Sequence, residues 1–230
     1  MKAINIFLAA ASVLMLGSCT LIRINKNFGS DSAGEITSGQ VVEAIKDAST
    51  FTINVPAEIT YVQTPGEPYL LISASPSIRE QIEILQDGNS VTVRPKGKRI
   101  KGNVDNLEIR IGTSSLSELN INGSADFSVK GGLIVPEFVL NTNGASDVDI
   151  DSLTAEKVSV TVNGAADVDL AAIECGTVSV TVNGAGDINI AGHASKAVLE
   201  VNGAGDIDVR KLVADDLVTE IHGIGGIKRQ

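Results

Sequence analysis

The sequence predicts an all-β fold: a right-handed parallel β-helix of about 20 residues per turn, with an irregular β region capping its N-terminal end. Three observations carry this. Asn-Gly pairs begin at Asn122, Asn143, Asn163, Asn183 and Asn202, at successive spacings of 21, 20, 20 and 19 residues, and a decayed sixth copy follows at His222-Gly223-Ile224-Gly225-Gly226. Before each pair the chain alternates, as in Val158, Val160 and Val162 with Ser159 and Thr161 between them, which is the period of a half-buried strand. After each pair comes Asp, and the apolar series resumes, at Val148 and Ile150, Val168 and Leu170, Ile188 and Ile190, and Ile207 and Val209.

Asn-Gly between alternating strands is also a strong hairpin signal. A two-residue turn would pair Val160 with Asp167 and Ser159 with Val168, and a slip of one residue turns a strand over. A chain that bends at Asn-Gly instead sends both apolar series into one core, and each strand pairs with its copy one turn on, roughly 4.8 Å away. A third apolar site recurs at Leu153, Ile173 and Leu212, with His193 as the exception, so each turn has about three inward faces. Right-handedness follows from the general hand of parallel crossovers. The corner residues Asn122, Asn143, Asn163, Asn183 and Asn202, with Gly123, Gly144, Gly164, Gly184 and Gly203, read as architectural: Gly for positive φ, Asn for a stacked amide ladder.

Residues 1–18 carry Lys2, a largely apolar run from Ala3 to Met15, and Leu16-Gly17-Ser18 before Cys19. This is the layout of a secretory signal, and its end resembles a bacterial lipobox, which makes Cys19 the lipidated first residue of a mature, membrane-anchored protein. The run is short for a membrane span of about 20 residues. Residues 19–40, rich in Gly, Ser and Asn, read as a flexible tether. Residues 41–113 read as an N-terminal β region: Phe51, Ile53 and Val55 alternate, further short strands follow, and Pro56, Pro65-Gly66, Pro76 and Asp87-Gly88-Asn89 punctuate them. This stretch is either a cap or the first turns of the solenoid, and residues 114–230 form the repeat. Arg94, Lys96, Lys98, Arg99 and Lys101 are the one basic cluster, read as a solvated loop over an anionic-lipid site.

The lipobox, the Phe51-x-Ile53-x-Val55 strand and the tandem Asn-Gly-(Ala or Ser)-x-Asp turns together resemble the putative auto-transporter adhesin, head GIN domain family over roughly residues 40 to 227. The resemblance implies a secreted β-helical domain and brings no catalytic residues with it.

Chemistry is sparse. Asp147, Asp167, Asp187 and Asp206 recur beside the corners and resemble part of a calcium-binding nonapeptide repeat, so calcium is the one cofactor the sequence suggests. One row of Asp at a 20-residue period supplies few of the 6 to 8 oxygens calcium takes, and Asp also caps the amides of its own turn. His193 and His222 replace repeat positions and read as packed; Cys175 reads as a buried, inert thiol. Outward Asp residues could serve a carbohydrate-active enzyme, but the chain has no Trp to build a sugar platform. A net charge of -10 argues against nucleic acid as a partner. The expectation is a non-enzymatic, lipid-anchored cell-envelope protein, of the outer membrane, whose rigid surface meets a protein or glycan partner.

Overall fold

The computed structural model describes residues 40–229. Cys19 and the expected signal and tether, apart from Gln40, lie outside them. The strands are β1 (Gln40–Glu43), β2 (Thr50–Ile53), β3 (Ala57–Gln63), β4 (Tyr69–Ser73), β5 (Ile82–Asp87), β6 (Ser90–Pro95), β7 (Glu108–Thr113), β8 (Glu118–Ile121), β9 (Ser124–Lys130), β10 (Leu133–Ile134), β11 (Glu137–Thr142), β12 (Ala145–Ile150), β13 (Leu153–Val162), β14 (Ala165–Val182), β15 (Ile188–Val201), β16 (Asp206–Ile221) and β17 (Gly226–Lys228), with one short helix, α1 (Pro76–Arg79).

From β8 onward the chain winds as a β-solenoid, and the register is that of the repeat. Val158 pairs with Val178, Val160 with Val180 and Val162 with Val182, all parallel, and Ala197, Leu199 and Val201 continue these three rows. All nine are buried. Around the corner Val148, Val168, Ile188 and Ile207 stack in the same way. The third face is short: Leu133, Leu153 and Ile173 stack, and beside them run Ala155, Cys175, Ala194 and Ala214. Ser159, Thr161 and the Asp residues point outward, as the alternation requires.

Residues 41–113 supply two more layers, and these do not stack in chain order. β2 and β3 lie directly beneath β8 and β9, with Ile53 against Ile121 and Ile59 against Phe127. β6 and β7 lie beneath β2 and β3, with Val93 against Ile53 and Ile109 against Ile59. The chain lays the second layer first, loops out through residues 64–89, lays the outermost layer, and then steps back over residues 50–63 to begin the repeat. The loop-out closes the end: β5 pairs antiparallel with β6, β4 with β7 and β1 with β4. Ile78 of α1 is buried against the same core. A single side chain caps the third face. The Gln63 amide donates to the Ile134 carbonyl at 2.9 Å and accepts from its N–H at 2.8 Å, standing in for a strand under β10.

Two expectations change. The corner glycines Gly123, Gly144, Gly164, Gly184 and Gly203 do not adopt positive φ. Glycine is needed for close approach instead: each carbonyl points along the axis and accepts the next turn's N–H (Ala165 to Gly144 and Ala185 to Gly164, both 2.9 Å), so a Cβ on Gly184 would lie 1.8 Å from the Gly164 oxygen. The other change is at His193. The interval from Asn183 to Asn202 is one residue short, the register slips after Leu170, and Gly192 (φ +119°) takes the place facing Ile173 and Leu212. His193 is thereby turned out beside Glu174, 3.2 Å away, rather than packed.

Candidate functional site

The repeat displays its polar residues in rows parallel to the axis, one residue per turn, because parallel in-register strands place like over like. The Asn row is a continuous amide ladder. Asn143, Asn163 and Asn183 each donate Nδ2–H to the Oδ1 one turn below at 2.8 Å, and Asn202 does so at 2.9 Å. The ladder starts one turn earlier than the repeat suggests, since Asn122 donates to Asn54 at 2.8 Å. Asn54 is followed by Val55-Pro56 rather than Gly, which hid it; the match of Thr52-Ile53-Asn54 to Asn120-Ile121-Asn122 was the available signal.

The first Asp row stacks Asp126, Asp147 and Asp167 and continues through Asp187 and Asp206. Its carboxylates bind the turn above rather than their own. Asp167 Oδ1 accepts the Asp187 N–H and Asp187 Oδ1 the Asp206 N–H, both at 3.1 Å, and Asp206 Oδ1 accepts the Gly226 N–H at 2.8 Å. The cause lies in Gly186 and Gly205. There the strand is interrupted and backbone pairs with side chain, whereas Ala166 below stays in the regular ladder. Asp147 has its pKa raised, first by desolvation and then by the charges of Asp126, Asp167 and Asp149. Asp206 has its pKa lowered, chiefly by Lys228, whose ammonium is 2.9 Å away. Calcium on this row would compete with those amides and with Lys228.

A second row runs Asp149, Asp169, Asn189 and Asp208, and its last three members line an open depression of about 610 Å³ together with Ala171, Arg210 and Lys211. Arg210 forks onto Asp208 and holds its pKa down at about 2. A glycosidase acid needs a raised pKa, so Asp208 is set up as a fixed charge and not as a proton donor. Burial pushes the Cys175 thiol up to about 11, which leaves it unreactive.

The basic cluster lies at the capped end. Arg94 pairs with Glu83 at 2.8 Å, and Lys96, Lys98, Arg99 and Lys101 surround a depression of about 540 Å³ with Glu80 and Gln81. Beyond the last Asn of the ladder stands His222, whose side chain is 62% exposed and not packed as expected; its ring, Glu220 and Glu200 bring ligand atoms within 4.8 Å of one another. Sequence reasoning missed this group, although the 20-residue spacing of Glu200 and Glu220 was readable. Among the described residues no helix is long and apolar enough to cross a membrane.

The chain matches no curated protein. Among solved structures it is similar to an adhesin assigned as putative from Bacteroides fragilis (21% identity, TM-score 0.69, covering 83% of this chain and 96% of that one). It is likewise similar to one from Parabacteroides distasonis (19%, TM-score 0.76, 82% and 79%) and to a protein titled a putative lipid binding protein from the same species (18%, TM-score 0.56, 84% and 97%). At these identities the likeness is one of fold. The family profile described as putative auto-transporter adhesin, head GIN domain matches residues 49–228, from β2 through β17. Because that profile covers more than half of its length, this chain belongs to the putative auto-transporter adhesin, head GIN domain family.

Proposed function

We propose that this protein is a lipid-anchored component of the bacterial cell envelope that presents a rigid solenoid for interaction with a protein or glycan, and that it performs no catalysis. The supporting observation is the construction of the outer surface. The Asn, Asp and Ser/Thr rows repeat once per turn on a backbone fixed by the parallel ladder, and the Asn side chains are themselves bonded from turn to turn. Such a surface is pre-organised and loses little side-chain freedom on binding, which favours recognition of an extended or repetitive ligand. Membership of an adhesin family agrees with this role. The anchor rests on the lipobox resemblance at Leu16-Gly17-Ser18-Cys19.

The test is made in cells. The full chain and Cys19→Ala are compared for membrane fractionation and mobility, and cells carrying each are scored for retention on a panel of immobilised glycans and matrix proteins. Retention that requires both the protein and Cys19 supports the proposal. Unchanged fractionation of Cys19→Ala overturns the anchor, and retention equal to that of cells lacking the protein overturns the interaction role.

A further inference from the structure

Along the side of the first face, two neighbouring rows change chemistry at the same place. The row next to the ladder runs Asn120, Asn141, Thr161 and Thr181 in register through successive turns, and then becomes Glu200 and Glu220. The ladder row itself runs Asn54 to Asn202 and then becomes His222, one residue past the Val201 to Ile221 pairing. In a solenoid, the preceding turns show what the fold alone requires at a position, and here it requires a small neutral side chain. Two carboxylates directly opposite on adjacent parallel strands repel, and such pairs are unfavourable in sheets. The flanking row is Val198 and Val218, which brings no cation.

We infer that Glu200, Glu220 and His222 form a binding site for a first-row divalent transition ion of the Zn²⁺ type, clamping the last two turns together. The ligand atoms already lie within 4.8 Å of one another, and His222 Nε2 is 3.4 Å from Glu220 Oε2. Two ligands at about 2.0–2.2 Å from a tetrahedral zinc stand about 3.3–3.6 Å apart, so small rotations of exposed side chains complete the set, and water fills the fourth position. One imidazole with two carboxylates selects a zinc-like ion over calcium or magnesium, which take oxygen ligands alone. An outer contact orients one ligand: the Asn202 amide donates to Glu200 Oε1 at 2.9 Å while also donating to Asn183. The ladder's end thus aims the carboxylate at the site. The ion would replace the amide rung lost when Asn gives way to His.

The untagged full chain, solubilised in detergent and stripped of metal, is titrated with ZnCl₂ alone, by calorimetry and by thermal melting. His222→Asn and Glu220→Thr restore the residues of the turns below, so both variants keep the fold. The wild type should take up one Zn²⁺ per chain, and at about tenfold excess over Kd its Tm should rise by about 3–6 °C. Each variant should bind at least about tenfold more weakly and lose the shift. Asp187→Asn, in the rival carboxylate row, should bind as the wild type does, and millimolar calcium should give no shift. No Zn²⁺ uptake by the wild type at 100-fold excess over protein, uptake unchanged in His222→Asn, or loss of uptake in Asp187→Asn would each overturn the assignment.

Discussion

At its N-terminal end the stack closes on strands that run the other way, whereas at its C-terminal end no described strand runs antiparallel across it. One inward row makes the comparison. Val93, Ile53, Ile121, Thr142, Val162, Val182 and Val201 are each 0% exposed, and Ile221, the next residue of the row, is 49% exposed. Val93 belongs to the outermost parallel layer, yet it is as buried as Val182, because β5 continues the sheet beyond it and Ile84 packs on the core. Among the described residues only the partial turn of β17 follows Ile221, and the inward Ala214, Leu217 and Ile227 are partly buried where their counterparts Ala194 and Ala197 are 0% exposed. A free strand edge of this kind is where sheets are vulnerable. The chain therefore spends residues 64–89 on one end and, at the other, tapers the core: Thr219 stands in the row of Val180 and Leu199.

Introducing a charge at the two ends tests this most strongly. Val93→Asp buries an unpaired carboxylate and should cost several kcal/mol, as Val182→Asp should in the middle, while Ile221→Asp should cost under about 1 kcal/mol because water reaches it. Urea melts of the three variants decide the matter. Comparable losses at Val93 and Ile221 would mean that the N-terminal strands do not seal the core. The outward control is Ser179→Asp, which should be mild beside Val180→Asp.

Next in size is the glycine stack. Gly184→Ala places a Cβ 1.8 Å from the Gly164 oxygen and must pry two turns apart, for an expected loss of about 2–4 kcal/mol, in the range of severe overpacking. Gly123 sits over Val55-Pro56 rather than over another Asn-Gly corner, and a Cβ there meets nothing within 4 Å, so Gly123→Ala should be nearly neutral. Equal losses at the two sites would return the requirement to backbone conformation.

A smaller effect comes from polar atoms in the core. The hydroxyls of Thr142 and Ser146, both buried, have no hydrogen-bond partner. Thr142→Val should therefore stabilise by about 1 kcal/mol, as removal of an unsatisfied buried group does. The same change at Thr219, half-buried at the open end, should give close to nothing, since water already serves that hydroxyl. A Tm gain at Thr219 as large as at Thr142 would contradict the open-end description.

The repeat was legible because parallel stacking converts sequence period directly into space: a residue 20 places on is the next neighbour on the axis, so the rows of Val158, Val178 and of Asn163, Asn183 could be read as contacts. Residues 50–113 were legible as strands but not as layers. Asn54 and Asn122 are bonded across 68 positions, because the chain leaves the stack between them and returns out of order. Nothing periodic marks such a detour. His193 misled for the complementary reason: one deleted residue in a single turn shifts which side chain faces in, and only Gly192, able to sit against the Ile173 carbonyl, absorbs it.

The smallest expected effect has opposite signs at two places in one Asp row. Asp147 lies mid-stack among Asp126, Asp167 and Asp149, and its pKa is raised in the folded protein, so its ionised form is less favourable folded than unfolded. Its contribution is fully present below the unfolded value of about 3.9 and is lost as the pH rises through the higher folded value. Asp147→Asn should therefore raise stability at pH 7 by about 0.5 kcal/mol, the scale of a like-charge cross-strand pair, with the gain vanishing below about pH 3.5. Asp206, near the open end, has its pKa lowered by Lys228 and the Gly226 N–H. Its contribution is present above the unfolded value and is lost as the pH falls through the lower folded one. Asp206→Asn should lower the Tm at pH 7 and converge with the wild type in acid. Paired melts from pH 3 to pH 7 read both signs in one series. If the two variants shift in the same direction at pH 7, the row is electrostatically uniform, and Lys228 does not relieve at the end the repulsion that persists in the middle.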